Sequence, residues 1–142
     1  MKLLPNTLAA TCIAFALTGC ATTPSEPASW LAGSRWAVID VNGVDVSDRS
    51  DFRVNFSNSR FEGVFGCRRV SGRYTLRPAA NGDPEPIYVG QGASFSGEAC
   101  TGSMAEELAP ELLANATFSL NLLPDGQLVM LQPPTGIALR PL

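Results

Sequence analysis

Hydrophobic and polar residues alternate along most of the chain beyond residue 35, which is the pattern of β-strands with one buried face. Between Phe52 and Phe56 the apolar positions are every second residue, and the same period returns after each short turn. The predicted inward residues are Phe52, Val54, Phe56, Phe61, Gly63, Phe65, Val70, Gly72, Tyr74, Leu76, Phe118, Leu120, Leu122, Leu128, Met130, Ile137 and Leu139. The residues between them, Arg73 and Arg77 included, are predicted to face solvent.

Turn signals separate these strands. Asn42-Gly43 is typical of a type I′ turn and predicts a hairpin that pairs Val41 with Val44. Residues 78–86 hold three prolines and are predicted to be a loop. A short strand is predicted at residues 87–89, since glycines at 90 and 92 suggest bends or bulges after it.

One stretch has a helical period. Ser103 followed by Glu106 predicts a capping box at the start of this helix. The apolar stripe predicted to pack on the sheet comprises Met104, Ala105, Leu108, Ala109, Leu112 and Leu113. Pro110 predicts a kink or a division into two pieces. The chain is therefore predicted to be α+β, mostly antiparallel, with one helix packed on a half-barrel-like sheet of about seven or eight short strands.

Composition sets limits on function. The 142 residues carry a net charge of −3, and the single lysine is Lys2. An acidic, nearly lysine-free chain is a poor candidate for binding nucleic acid. The chain contains no histidine, which removes the commonest general base and the commonest metal ligand. We therefore expect no cofactor and no metal.

The N-terminus has the pattern of an export signal. One positive charge precedes an apolar run of about ten residues, which is too short to span a bilayer. Leu17-Thr-Gly-Cys20 resembles a bacterial lipobox, in which the cysteine carries a diacylglycerol. This predicts a lipoprotein signal peptide over residues 1–19, a lipidated Cys20 with a tether over 20–32, and a domain over 33–142. A plain signal peptide with an incidental cysteine is the alternative. Ala21 favours an outer-membrane lipoprotein facing the periplasm.

Two cysteines, Cys67 and Cys100, belong to the predicted domain. They are candidates for a disulfide, a metal pair or redox thiols. Export to an oxidising compartment favours the disulfide, and the chain has no Cys-x-x-Cys motif to support the other two.

Catalytic patterns are weak, because no serine has a histidine to deprotonate it. The acidic neighbours Glu106–Glu107 and Asp83–Glu85 are explained by helix-start and loop chemistry, although a carboxylate-pair hydrolase is an alternative. We predict no catalytic residues.

Charge is unevenly distributed along the sequence. Residues 49–77 contain seven arginines against two acids, whereas residues 83–125 contain seven acids and no arginine. The candidate anion-binding patch consists of Arg68, Arg69, Arg73 and Arg77. It would meet anionic headgroups or an acidic partner. The alternative is that these arginines pair with the acids of residues 83–125 as surface salt bridges.

The order of these elements resembles the META domain, or HslJ-like, family of heat-shock lipoproteins. The residues that carry the resemblance are Gly33, Trp36, Gly66, Cys67, Gly72, Tyr74, Ser96, Ala99 and Cys100. Arg68 stands where the family has asparagine, and Glu98 where it has methionine. The resemblance implies a fold and a link to heat shock and envelope stress, but no catalytic residues.

Two functions follow as expectations. The first is a lipid-anchored, non-enzymatic interaction module that supports envelope stress tolerance through an envelope protein or anionic headgroups. The second is a periplasmic inhibitor or small-ligand binder similar to the lysozyme-inhibiting lipoproteins, for which loop 78–86 is the candidate probe of a glycosidase cleft.

Overall fold

The computed structural model describes residues 30–79, 82 and 85–142. The predicted signal peptide, Cys20 and most of the predicted tether lie outside this range. The strands are β1 (Arg35–Val41), β2 (Val44–Asp45), β3 (Phe52–Ser57), β4 (Arg60–Phe65), β5 (Arg68–Arg77), β6 (Ile87–Ser96), β7 (Thr117–Leu122), β8 (Leu128–Gln132) and β9 (Thr135–Pro141). The helix α1 spans Met104–Asn115 between β6 and β7.

All strand pairings are antiparallel, and most consecutive strands are neighbours. β1 also pairs with β9, for example Val38 with Leu139, so eight strands close into a barrel and β2 extends from the end of β1. The predicted fold class is confirmed: one helix accompanies an antiparallel sheet. No helix among the described residues has the length and apolar character needed to cross a membrane.

The alternation predicts the barrel interior well. Phe52, Val54, Phe61 and Phe65 are completely buried, and Arg73 on the opposite face is exposed. Edge-to-face contacts join several of these rings, such as Phe52 and Phe65 with centroids 5.6 Å apart. Burial of these large apolar side chains is the main source of stability for a domain of this size.

Two residues predicted to be buried are exposed. Leu122 is 53% exposed because β7 ends there and the chain turns away from the core. Met104 is 65% exposed because it starts the helix beyond the buried stripe. Pro110 lies inside α1 and does not divide it into two pieces, since buried apolar residues hold the helix on both sides of the proline.

The predicted hairpin at Asn42-Gly43 is present. Asn42 and Gly43 both have positive φ, as a type I′ turn requires, and Val41 pairs with Val44. β6, however, runs on to Ser96 instead of ending near residue 89. Ser71 and Arg73 on β5 pair with Ser94 and Gln91 on β6, so β6 has a bulge between these two partners. The bulge contains Gly92, whose φ is +57°, and lets the strand continue.

Candidate functional site

The tight corner between β4 and β5 is the best-defined polar site of the described residues. Gly66 and Cys67 form this corner, and Cys67 is bonded to Cys100 with the Cα atoms 5.6 Å apart. Cys100 lies in the connection from β6 to α1. The structure thus forms the disulfide that the sequence favours, and it ties the connection before α1 to the turn between β4 and β5.

A buried carboxylate lies behind this disulfide. Glu106, in the first turn of α1, has no exposed surface. Its carboxylate accepts backbone N–H bonds from Cys67, Cys100 and Thr101, each at 2.9 Å, and another bond from the Thr101 hydroxyl. One side chain therefore satisfies the backbone donors of both cysteine loops.

The corner has room for this carboxylate only because residue 66 is glycine. A Cβ at Gly66 would lie 2.6 Å from Oε1 of Glu106, and the φ of this residue is +64°. Gly97 is similarly constrained, since a Cβ there would lie 2.1 Å from the carbonyl oxygen of Cys67. The two glycines let β5, the loop after β6 and the helix start approach one another.

Burial alone would raise the pKa of Glu106, but the hydrogen bonds outweigh it. Donation by Thr101, Cys100 and Cys67 to the ionised form lowers the pKa to about 2. Glu106 is therefore a carboxylate at neutral pH, and its negative charge is held by fixed dipoles.

This arrangement corrects the predicted capping box. Ser103 does accept a bond from the Glu106 N–H, at 3.2 Å. The Glu106 side chain, however, points to the cysteine loops instead of returning to Ser103. In the sequence, this role was indicated by Gly66-Cys67 and Cys100-Thr101 together with a glutamate in the first helical turn. The capping-box pattern led us to assign that glutamate to the helix alone.

Cys67, Cys100 and Glu106 are also close enough to form a metal-ligand cluster by distance. Both sulfur atoms are consumed by the disulfide, whereas a cysteine binds zinc as its free thiolate. The carboxylate oxygens are already occupied by N–H and O–H donors. This corner is a structural site.

The four arginines of the predicted patch do not stay together. Arg68 is half-buried, lies 3.9 Å from Glu111, and donates to the carbonyl oxygen of Glu107. It therefore belongs to the contact between β5 and α1, which is the structural alternative. Arg69, Arg73 and Arg77 are exposed and point outward from β5, as the alternation predicts.

Two further exposed arginines, on β3 and β4, join this outward surface. Cross-strand pairing aligns Arg53 with Val64 and Val64 with Arg69, and it places Arg60 directly opposite Arg73. We call Arg53, Arg60, Arg69 and Arg73 the basic face. Within the described ranges no carboxylate lies within 4 Å of any of the four. Glu62 on β4 is the one acidic residue of β3–β5.

Beside the basic face, β6 leaves half of its length unpaired on one side. Residues Ile87–Val89 pair with β7, and the Gly90 N–H reaches the carbonyl oxygen of Ala116 at 3.5 Å. From residue 91 to 96, β5 is the only strand partner found in the described part of the chain. The cause is α1, which is inserted between β6 and β7 and whose last-turn carbonyls pack against Gly90.

A groove of about 280 Å³ lies on the outward surface of β4, β5 and this half of β6. Polar side chains line it: Glu62, Arg69, Ser71, Ser94 and Ser96. Phe95 is 41% exposed, and the guanidinium of Arg68 lies 6.0 Å from its ring centre. Charge, hydroxyl groups and an exposed aromatic ring thus meet at one strand edge.

Loop 78–86 connects β5 to β6, as predicted. Residues 80, 81, 83 and 84 of this candidate inhibitory probe lie outside the described residues.

Comparison with known proteins adds a fold relationship. The chain is similar to a solved structure titled as the NMR structure of the protein from Burkholderia xenovorans. The TM-score is 0.56 at 15% sequence identity, with 100% of this chain and 99% of that chain covered. No protein-family model and no curated protein matches the sequence.

Proposed function

We propose that this chain is a lipid-anchored envelope protein with a META-like barrel, and that the barrel is a non-enzymatic module that binds an acidic protein partner through the basic face. The anchor is Cys20, and the predicted place of action is the periplasmic side of the outer membrane. In this role the protein supports tolerance of envelope stress by holding its partner near the membrane.

The observation that carries the proposal is the pairing of Arg60 with Arg73. Like charges directly opposite each other in an antiparallel sheet are destabilising. Folding gives no reason to place them there, because no carboxylate of the described residues lies within 4 Å of either guanidinium. Carboxylates of a partner would relieve this repulsion, which explains a surface that is unfavourable in the isolated domain.

A protein partner is favoured over lipid headgroups by what adjoins the basic face. Headgroup binding needs positive charge alone. The unpaired half of β6, the hydroxyl-lined groove and the exposed ring of Phe95 add directional and apolar features that a polypeptide can use.

The test is photo-crosslinking in intact cells that express the full chain. A photoreactive residue at Asn55, which is exposed on the same surface, is expected to form protein adducts, whereas one at Thr117 on β7 is not. Arg60→Glu should reduce the Asn55 adduct at least fivefold. The same change should raise the free energy of unfolding by about 0.2–1 kcal/mol, because it converts a like-charge pair into an ion pair.

Gln132→Glu, at the exposed end of β8, adds a negative charge away from the basic face; it is the control and should leave the adduct unchanged. Opposite effects of Arg60→Glu on stability and on crosslinking separate a binding role from a structural one. Adducts made only with lipid would assign the basic face to headgroups, and equal adducts at Asn55 and Thr117 would remove the face from any binding role.

The anchor has its own prediction. Cys20→Ala should move the protein from the membrane fraction to the periplasmic fraction, because two acyl chains at about 0.8 kcal/mol per buried CH₂ are the attachment. Residues 21–29 span at most about 30 Å when extended, so an acylated Cys20 keeps the barrel close to the membrane. Fractionation and intact mass measure the outcome. Unchanged membrane association with an unmodified mass at Cys20 would contradict the proposal.

A further inference from the structure

The outer half of β6 is an exposed strand edge without the usual protection. Proteins prevent unwanted pairing at such edges with charged residues, with proline or with another element that covers the edge. Residues 87–97 contain no charged residue and no proline. The end of α1 covers β6 at Gly90, and a bulge at Gly92 follows. Beyond the bulge the pairing with β5 is regular at Ser94, Phe95 and Ser96.

The two faces of this edge have different chemistry. Ser94 and Ser96 point to the groove, where Arg69 lies on the adjacent strand β5. Phe95 points to the other face, 41% exposed. A strand added beside β6 would present its side chains alternately to these two faces.

The charges near the edge of β6 indicate which kind of polypeptide would bind there. Arg69 and Arg73 lie on β5, one strand from the edge, while Glu62 lies on β4, two strands away. Glu98 follows the end of β6, whereas Arg69 and Arg73 pair with Ser96 and Gln91 along its length. Along the strand itself, the charged side chains of the neighbouring strand are therefore positive. A second copy of this chain at the same edge would bring a second set of arginines toward the first, whereas an acidic segment would neutralise them.

We infer that the edge of β6 between Gln91 and Ser96 binds an extended polypeptide segment by strand addition, and that this segment alternates acidic residues on the groove side with apolar residues over Phe95. Main-chain hydrogen bonds supply the attachment, and the alternation of the segment supplies specificity. The inference rests on the proposed function, because it names the class of partner and the way that partner is held.

The direct test uses a fluorescein-labelled Glu-Val-Glu-Val-Glu-Val-Glu peptide and the mature, anchored chain in detergent micelles. Two N-methylated isomers serve as probes, one methylated on the glutamate amides and one on the valine amides. In a paired strand, alternate residues direct their N–H groups toward the partner, so only one isomer loses its bonds to β6. We expect that isomer to bind at least tenfold more weakly and the other to bind like the unmethylated peptide.

Hydrogen exchange locates the contact. Peptide binding should slow amide exchange in residues 93–96 and leave β8 unchanged. Phe95→Ala should weaken binding at least fivefold, with Phe95 exposed enough for the fold to tolerate the change. Gln132→Glu, at the exposed end of β8, should have no effect.

Equal affinities for the two isomers would overturn strand addition. If binding then still required Arg69 and Arg73, the proposed function would stand without it. If the two isomers bind with unequal affinities but crosslinking at Asn55 fails, strand addition at the edge of β6 would stand. The proposed function of the basic face would then be contradicted. If the protein forms a dimer that dissociates when the peptide is added, the edge of β6 would bind a second copy of this chain. That result would overturn the inference.

Discussion

Replacing Cys67 and Cys100 together by serine should lower the free energy of unfolding by roughly 3.5–4 kcal/mol. The two cysteines are separated by 33 positions, and the chain-entropy model gives this value for a loop of that length. With a slope of roughly 2 kcal/mol/M, the urea midpoint should fall by about 2 M. Chemical denaturation followed by tryptophan fluorescence measures the change.

Reduced wild-type protein is the matched control, because it breaks the same bond without a substitution. Its midpoint should fall to that of the double variant. The Cys67 and Cys100 N–H groups also hold Glu106, so part of the loss should come from a less ordered carboxylate site. A midpoint within 0.3 M of the oxidised protein, in either sample, would show that the disulfide does not restrain the domain in this way.

Glu106→Gln is the second large effect, with an expected loss of roughly 2–4 kcal/mol. The ionised carboxylate accepts four bonds from N–H and O–H groups, and bonds to charged acceptors are the stronger kind. The amide NH₂ of glutamine would face donors instead of accepting from them. Glu107→Gln is the control: this neighbour is exposed, and its loss should change stability by less than about 0.5 kcal/mol.

The same carboxylate predicts how stability depends on pH. Its pKa is about 2 in the folded protein against an ordinary value of 4.5, so the folded state binds fewer protons than the unfolded state in this range. The contribution is fully present above about pH 4.5–5 and declines as the pH falls toward 2. Urea unfolding at several pH values should therefore show the Glu106→Gln deficit shrinking with acidity. A deficit that is constant from pH 7 to pH 3 would contradict the lowered pKa.

Local pattern predicted the parts of this fold that local forces decide. Phe52, Val54 and Phe56 alternate strictly with polar residues, and all three are buried. A period of two gives each strand one hydrophobic face wherever the strand lies. The turn at Asn42-Gly43 was predictable for a similar reason, because these residues tolerate the positive φ that the turn requires.

Features that depend on distant partners were not predictable in this way. The length of β6 was missed because Gly90 and Gly92 were interpreted as its end. Gly90 instead gives the helix carbonyls room, since a Cβ there would lie 2.2 Å from the carbonyl oxygen of Leu113. The role of Glu106 was missed because its donors come from two loops that only the fold brings together.

The basic face shows the same division. Alternation placed Arg73 and Arg77 outward, and the structure agrees. Whether Arg68 belonged with them depended on α1, which brings Glu111 within 3.9 Å of it. The opposition of Arg60 and Arg73 depended on the β4–β5 register, which the Gly66-Cys67 corner sets.

Closure of the barrel has a consequence for the order of folding. β1 and β9 lie about a hundred residues apart in sequence, yet they are paired along most of their length. Contacts of such separation form slowly, because the ordering entropy of the intervening chain must be lost first. The hairpins from β3 to β5 can form while the chain is still emerging, but β1 keeps an unpaired edge until β9 arrives. We therefore expect the pairing of the C-terminal strand β9 with β1 to be a late step that limits the rate of folding. This step closes the antiparallel sheet into a barrel.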